Sequence, residues 1–104
     1  MVNKYSHRVV NHKFKERETL EILSKYIDET YSQHYGEGKI QATEFIVDSG
    51  MGVGFCLGNI IKYAKRFGKK GGFNKVDLLK IVHYAIILYG SLDDKSKDES
   101  TRET

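Results

Sequence analysis

The sequence predicts an all-α fold, a small bundle of three to four helices completed by homo-oligomerisation. Three observations carry this reading. Apolar residues recur at helical spacing in several separate stretches. The chain has no Pro, and its glycines lie mostly in two clusters, which suits long helices joined by short turns. The one stretch whose periodicity is ambiguous, Glu44-Phe45-Ile46-Val47, has no second strand-like segment to pair with, so helix is the consistent choice there. A chain of 104 residues supports one domain with a single modest core. The expected division is an irregular N-terminal arm over 1–17, a helical domain over 18–90 and a disordered polar tail over 91–104.

In the arm, Val2, Tyr5, Val9, Val10 and Phe14 follow no clean period, and an extended segment packing on a neighbouring subunit is the expectation. His7 and His12 lack a third ligand at a useful spacing, so no metal site is predicted. Residues 18–32 form the first helix. Leu20, Ile22, Leu23, Tyr26, Ile27 and Tyr31 line one side, and Glu18, Glu21, Lys25, Asp28 and Glu29 face away. Glu18 and Glu21 make an E-x-x-E pair of the kind that holds Mg²⁺ in all-helical pyrophosphatases. The later E-x-x-D is missing, because Glu44 is followed by Asp48, one residue too far. A solvated helix face is the better reading.

Residues 33–39 read as a polar loop carrying His34 and Tyr35, either a stacking surface for a ligand or an aromatic plug under the loop. Residues 40–48 then form a short helix, and Ser49 to Gly54 a flexible hinge. Gly52, Gly54 and Gly58 imitate a dinucleotide fingerprint, but no βαβ context surrounds them. No Walker loop occurs anywhere in the chain.

The centre of the sequence is residues 55–84, a helix, a basic glycine-rich turn and a second helix. Leu57, Ile60, Ile61, Ala64 and Phe67 make the expected buried stripe of the first of these. Asn59, Lys62, Tyr63 and Arg66 make a second stripe down the same helix. The turn Gly68-Lys69-Lys70-Gly71-Gly72 is positively charged and offers backbone donors. Asn74 then stands as an N-cap, with Asp77 placed to reach back to free N–H groups. The last helix, 74–89, is apolar on nearly all sides, and a homo-oligomer is the natural cover for it. Asp77, Lys80 and Tyr84 align along one line of this helix, with His83 beside it. Cys56 cannot form an internal disulfide and reads as a small buried hydrophobe rather than a nucleophile.

The net charge of +3 conceals an asymmetry. Residues 62–80 hold Lys62, Lys65, Arg66, Lys69, Lys70, Lys75 and Lys80 against Asp77 alone, an excess of six, so the rest of the chain sums to minus three. Charge concentrated in this way points to an anionic partner, although a lysine-rich face can also be merely solvated. No apolar run is long enough to span a membrane and no signal peptide opens the chain, so a cytoplasmic protein is expected.

The order His34-Tyr35, Phe55-x-Leu57-Gly58-Asn59-x-x-Lys62-Tyr63-x-x-Arg66, Lys69-Lys70-Gly71 and Asp77-Leu78-x-Lys80-x-x-x-Tyr84 resembles the SaV-like family of small bacteriophage proteins, DUF3310. The resemblance covers about residues 34–88. It extends to the C-terminal region of a coliphage nucleotide kinase that lacks a Walker loop, which implies nucleotide handling in the host cytoplasm. This sequence has Gln41 and Glu44 where that family usually carries Glu and Asp. The change at Gln41 removes a charge able to hold a metal or act as a base, so binding is expected ahead of catalysis.

The expected ligand site follows from these stripes. Lys62, Arg66 and one or both of the turn residues Lys69 and Lys70 neutralise phosphates, with Arg suited to a bidentate grip, and Lys80 is counted among the ligand-binding residues. The N-terminus of the last helix adds backbone donors. Asn59 offers its amide to a base or ribose, and His34 or Tyr35 stacks on the base. Asp77 and Lys80 form an orienting ion pair, with Tyr84 packed behind. Three function classes compete: a nucleotide-binding protein that sequesters a nucleotide or nucleotide signal, a nucleotide kinase or pyrophosphatase-like enzyme, and a nucleic-acid or host-protein binding module. No cofactor is assigned, and Mg²⁺ enters only if the protein is an enzyme.

Overall fold

The computed structural model describes residues 10–32 and 34–92, with the backbone alone for 34–37. Four helices follow in order: α1 (Glu16–Ser32), α2 (His34–Asp48), α3 (Gly52–Arg66) and α4 (Lys75–Ser91). The all-α class holds, and the described residues contain no strand. Much of the predicted tail, and the arm before Val10 with His7, lie outside the described residues. His12 is exposed, and no three His, Cys, Asp or Glu converge as a metal site among the described residues.

Two expected loops are helical. Residues 34–39 open α2 instead of forming a polar loop, although Gly36 and Gly38 each cost about 1 kcal/mol in a helix interior. Packing of the apolar positions that follow, among them half-buried Ile40 and Ile46, overrides that local cost. The predicted hinge shrinks to a tight turn at Ser49–Met51, in which Gly50 takes φ 87°. Gly52 already starts α3, and it is buried against α2. A Cβ there would stand 3.3 Å from Cγ2 of Val47, so glycine lets the two backbones approach closely.

α3 and α4 form a helical hairpin and make the most extensive contacts in the molecule, while α1 and α2 pack more lightly against it. The turn between them closes on itself. Gly68 donates its N–H to the carbonyl of Gly72 at 2.9 Å, Lys69 to that of Arg66 at 3.0 Å, and Phe67 and Phe73 meet ring to ring at 5.4 Å. Gly68 holds φ 86°, and a Cβ on it would lie 2.9 Å from the Phe73 ring. Asn74 caps α4 as predicted, accepting the Val76 N–H at 2.9 Å.

The core is small and differs from the expected one. Among described residues the buried hydrophobic side chains are Leu23, Cys56 and Tyr63. Leu57 and Ile61, expected inside, are 45% and 64% exposed, and Ala64 is exposed too. The face of α3 that α4 covers carries Cys56 and Tyr63, because α4 presents Asp77 and Tyr84 to it rather than its aliphatic residues. Leu20, Ile22 and Tyr31 of α1 are likewise exposed, and so are Leu78, Val82, Ile86 and Tyr89 of α4.

Candidate phosphate-ligand site

Tyr63 is the centre of the polar side of the hairpin. Helical spacing puts Lys62 and Arg66 beside it on α3, and hairpin packing brings Lys80 across from α4. Lys62 Nζ lies 4.6 Å, Lys80 Nζ 4.9 Å and Arg66 Cζ 5.7 Å from the Tyr63 ring centroid. Cations at these distances over a ring gain about 0.5–1 kcal/mol each at exposed sites. Tyr84 stacks with Tyr63, with centroids 6.3 Å apart and planes at 13°, and Phe55 meets Tyr84 edge-on at 5.7 Å. The aromatic stack fixes the ring, and the ring gathers the cations.

The electrostatics follow from this crowding. Burial alone would raise the Tyr63 phenol pKa. The hydrogen bond with Lys62 and the charges of Lys80, Lys62 and Lys39 outweigh it and bring it below its ordinary value of 10.0. Tyr84 moves the other way, raised chiefly by burial and also by neighbouring Tyr63. Burial lowers His83, which keeps its imidazole neutral at neutral pH. Cys56 is raised by burial and stays a thiol, consistent with a packing role.

Asp77 is the one buried charged side chain among the described residues, 2% exposed. It pairs with Arg66 rather than with Lys80: the Arg66 Nε stands 3.7 Å from Asp77 Oδ1, and Oδ2 has no hydrogen-bond partner. The predicted Asp77–Lys80 orienting pair is therefore replaced by a pair between helices. The carboxylate also does not reach back to the helix start, where Asn74 already serves Val76. The Arg66 side chain is 43% exposed, and the contact with Asp77 is through Nε, so the guanidinium keeps donors that an anion could use.

Beside this cluster a cavity of about 190 Å³ opens between the helices. Tyr63, Lys80, His83, Tyr84 and Ile87 form its α3–α4 wall. Tyr26, Glu29 and Thr30 of α1 and Lys39, Ile40 and Thr43 of α2 form the other. Tyr26 meets His83 edge to face at 6.0 Å, a contact that ties α1 to α4 across the cavity. A second, shallower cleft of about 340 Å³ shares Ile40, Thr43 and Ile87 with it and runs toward Tyr31 and Ser91.

Lys62, Arg66, Lys80, Asp77 and Tyr84 thus come together as the sequence stripes suggest. Others do not join them. The Asn59 amide donates to the Phe55 carbonyl of its own helix at 2.9 Å. Lys69 and Lys70 are exposed in a turn whose Gly68, Lys69 and Gly72 N–H groups bond within it, so they are not free donors. The side chains of His34 and Tyr35 lie outside the described residues. Sequence reasoning overlooked Lys39, Glu29, Thr30 and Thr43. Reading 34–48 as one helix would have placed Lys39 and Thr43 one turn apart on one face.

A family model described as protein of unknown function, DUF3310, matches residues 29–86, more than half of the chain. The chain belongs to the DUF3310 family. Neither a curated protein nor a solved structure matches it. The DUF3310 match begins at Glu29, in the last turn of α1, and ends at Ile86 in α4, so it takes in the whole Tyr63 cluster and the cavity-wall residues other than Tyr26 and Ile87. Among the described residues no helix is long and apolar enough to cross a membrane.

Proposed function

We propose that this protein, carried by a bacteriophage and acting in the cytoplasm of the infected cell, binds a nucleotide through the Tyr63 cluster and the adjoining cavity. The observation that supports it most is the gathering of Lys62, Arg66 and Lys80 around the ring of Tyr63, which with Lys80 also lines an adjoining aromatic-walled cavity. Solvated lysines on separate faces would not converge in this way. The cations neutralise phosphate, Arg66 being held from behind by Asp77. Tyr26, His83 and Tyr84 supply flat walls for a base. Binding with sequestration ranks ahead of nucleotide-kinase or pyrophosphatase-like catalysis, because among the described residues Glu29 is the one carboxylate on the cavity wall. It ranks ahead of a nucleic-acid interface because the charges point to one spot rather than along an extended stripe.

The experiment is a thermal-shift panel of nucleoside mono-, di- and triphosphates and cyclic dinucleotides, with and without Mg²⁺. A ligand at a hundred times its dissociation constant stabilises the fold by about 2.7 kcal/mol. Stabilisation by none of them, together with tight salt-sensitive duplex binding, overturns the reading in favour of a nucleic-acid module.

The protein also acts, on this proposal, as a homo-oligomer. Leu57 and Ile61 on α3 and Leu78, Val82 and Ile86 on α4 are each more than 40% exposed, a large apolar display for a core this small. Sedimentation equilibrium should give a mass above one chain, and Ile61→Asp should lower it. A monomeric wild type sinks this second part alone.

A further inference from the structure

α3 and α4 each carry a polar and an apolar flank, and the hairpin sorts these onto opposite faces. Cys56 and Tyr63 on α3 meet Asp77 and Tyr84 on α4 along the seam between the helices. Leu57 and Ile61 stand one and five residues past Cys56, and Leu78 and Val82 stand one and five past Asp77. A helix turns about 100° per residue, so each pair is rotated from its seam residue by about 100° and about 140° in the same sense. In an antiparallel pair of helices, equal rotations fall on one face. Lys62 and His83, each one residue before a seam tyrosine, are rotated the other way, and Tyr26 of α1 meets His83 on that side. The Tyr63 cluster and the cavity therefore lie on one face, and the other is left to apolar side chains.

That second face is uncovered. Leu57 and Ile61 on α3 and Leu78, Val82, Ile86 and Tyr89 on α4 are all exposed. The helices that carry them have 15 and 17 residues and so are about 22 and 25 Å long. A continuous apolar face on this scale marks an interaction surface. The charge along it is graded. Lys65, Lys69, Lys70 and Lys75 are exposed at the turn end of the hairpin. At the open end, the first turn of α3 and the last turn of α4 hold no charged residue, and exposed Asp48 closes α2 just before them.

We infer that this face joins two copies of the chain about a two-fold axis that runs across the helices, so that the turn of each copy lies over the open end of the other. The inference rests on the homo-oligomer reading above and adds its geometry. A stripe without charged side chains can meet itself across a two-fold axis, where every residue finds the same patch on its partner. The buried core of the single chain is small, and a second copy is the one cover that accompanies every molecule. The direction of the axis follows from charge. An axis along the helices would stack four lysines of one turn on the same four of the other, and like charges brought together are costly. An axis across the helices separates the turns and brings each toward the end that bears Asp48. The two Tyr63 clusters then lie on the outer faces of the dimer, pointing away from each other, as two separate ligand sites.

The test is a pulsed dipolar electron-resonance measurement on the full chain carrying Lys70→Cys and a spin label at that position, with labelled wild type as the control for the buried Cys56. Since α3 is about 22 Å long and the turn lies beyond it, the two labels should stand more than about 30 Å apart. Adding Val82→Asp, at an exposed position in the middle of the face, should abolish the coupling and halve the mass in sedimentation equilibrium. A separation below about 30 Å overturns the crossed arrangement while the homo-oligomer reading stands. Coupling that survives Val82→Asp assigns the contact to another face and overturns the inference in the same way. Absence of coupling in Lys70→Cys, with a mass of one chain, overturns both, and co-sedimentation of that monomer with phosphatidylserine-containing vesicles would give the face to a membrane surface instead.

Discussion

The glycine turn at 68–72 and the Tyr63 cluster hold comparable positive charge, yet they are physically different places. The turn carries Lys69 and Lys70 on a closed loop in which the Gly68, Lys69 and Gly72 N–H groups donate to the carbonyls of Gly72, Arg66 and Lys69, and both lysines are exposed. The cluster carries Lys62, Arg66 and Lys80 on two packed helices, all three referred to one ring that a neighbouring tyrosine holds in place. Charge density along a sequence therefore identifies an electrostatic field, while a binding site needs charges fixed in direction. Lys62 and Arg66 are exposed too, but a cation held against a ring has already given up part of the rotamer freedom that a lysine in the turn must surrender to hold a ligand.

The comparison breaks most readily at Arg66 and Asp77. Removing Arg66 leaves the Asp77 carboxylate buried without its ion-pair partner, whereas Asp77→Asn leaves a half-exposed guanidinium that water can solvate. Arg66→Ala should therefore destabilise the fold by about 2 kcal/mol and Asp77→Asn by clearly less, as read from urea midpoints at constant slope. The reverse order would mean that Asp77 has a structural partner other than Arg66.

At the level of the ligand, Lys80→Ala should weaken nucleotide binding about tenfold, the size of one charge-assisted contact. The double variant Lys69→Ala, Lys70→Ala should change it by less than about threefold at physiological salt, since those charges act only through a screened field. Titration calorimetry on the two variants compares the regions directly. A larger loss in the double variant would move the site to the turn.

The smallest expected effect lies in the Tyr63 phenol. Its pKa is lowered in the folded state, so the folded protein releases that proton at lower pH than the unfolded chain does. Stability from this group is thus fully present above the unfolded value of about 10 and fades as pH falls through the lower folded value. A near-ultraviolet absorbance titration should show one tyrosine ionising early, absent in Tyr63→Phe and shifted upward in Lys62→Met. An early transition that survives in Tyr63→Phe would assign the perturbed phenol elsewhere.

Much of the fold was legible before any coordinates. The periodicity from Leu20 to Tyr31 gave α1 to within two residues at its start, and Asn74 with the apolar run after it gave α4 with its cap. The opening of α2 was not legible, because Gly36 and Gly38 argue locally for a loop and only packing of the residues beyond them argues otherwise. Within the site, the stripe Lys62, Tyr63, Arg66 could be read from helical spacing alone. The partner of Asp77 could not be read this way. Lys80 is one turn away in sequence, but the turn at Gly68 folds Arg66 back to within 3.7 Å of the carboxylate.

What the sequence determined by itself is the helical class, the place of the basic centre and the side of α3 that bears it, since all three depend on spacing along one chain. Which of the two α3 stripes is covered, which cation Asp77 holds, and which threonines and lysines share a cavity were decided only by tertiary structure. Those relations join residues on different helices, and the angle at which helices cross, which no local pattern records, sets which of them meet.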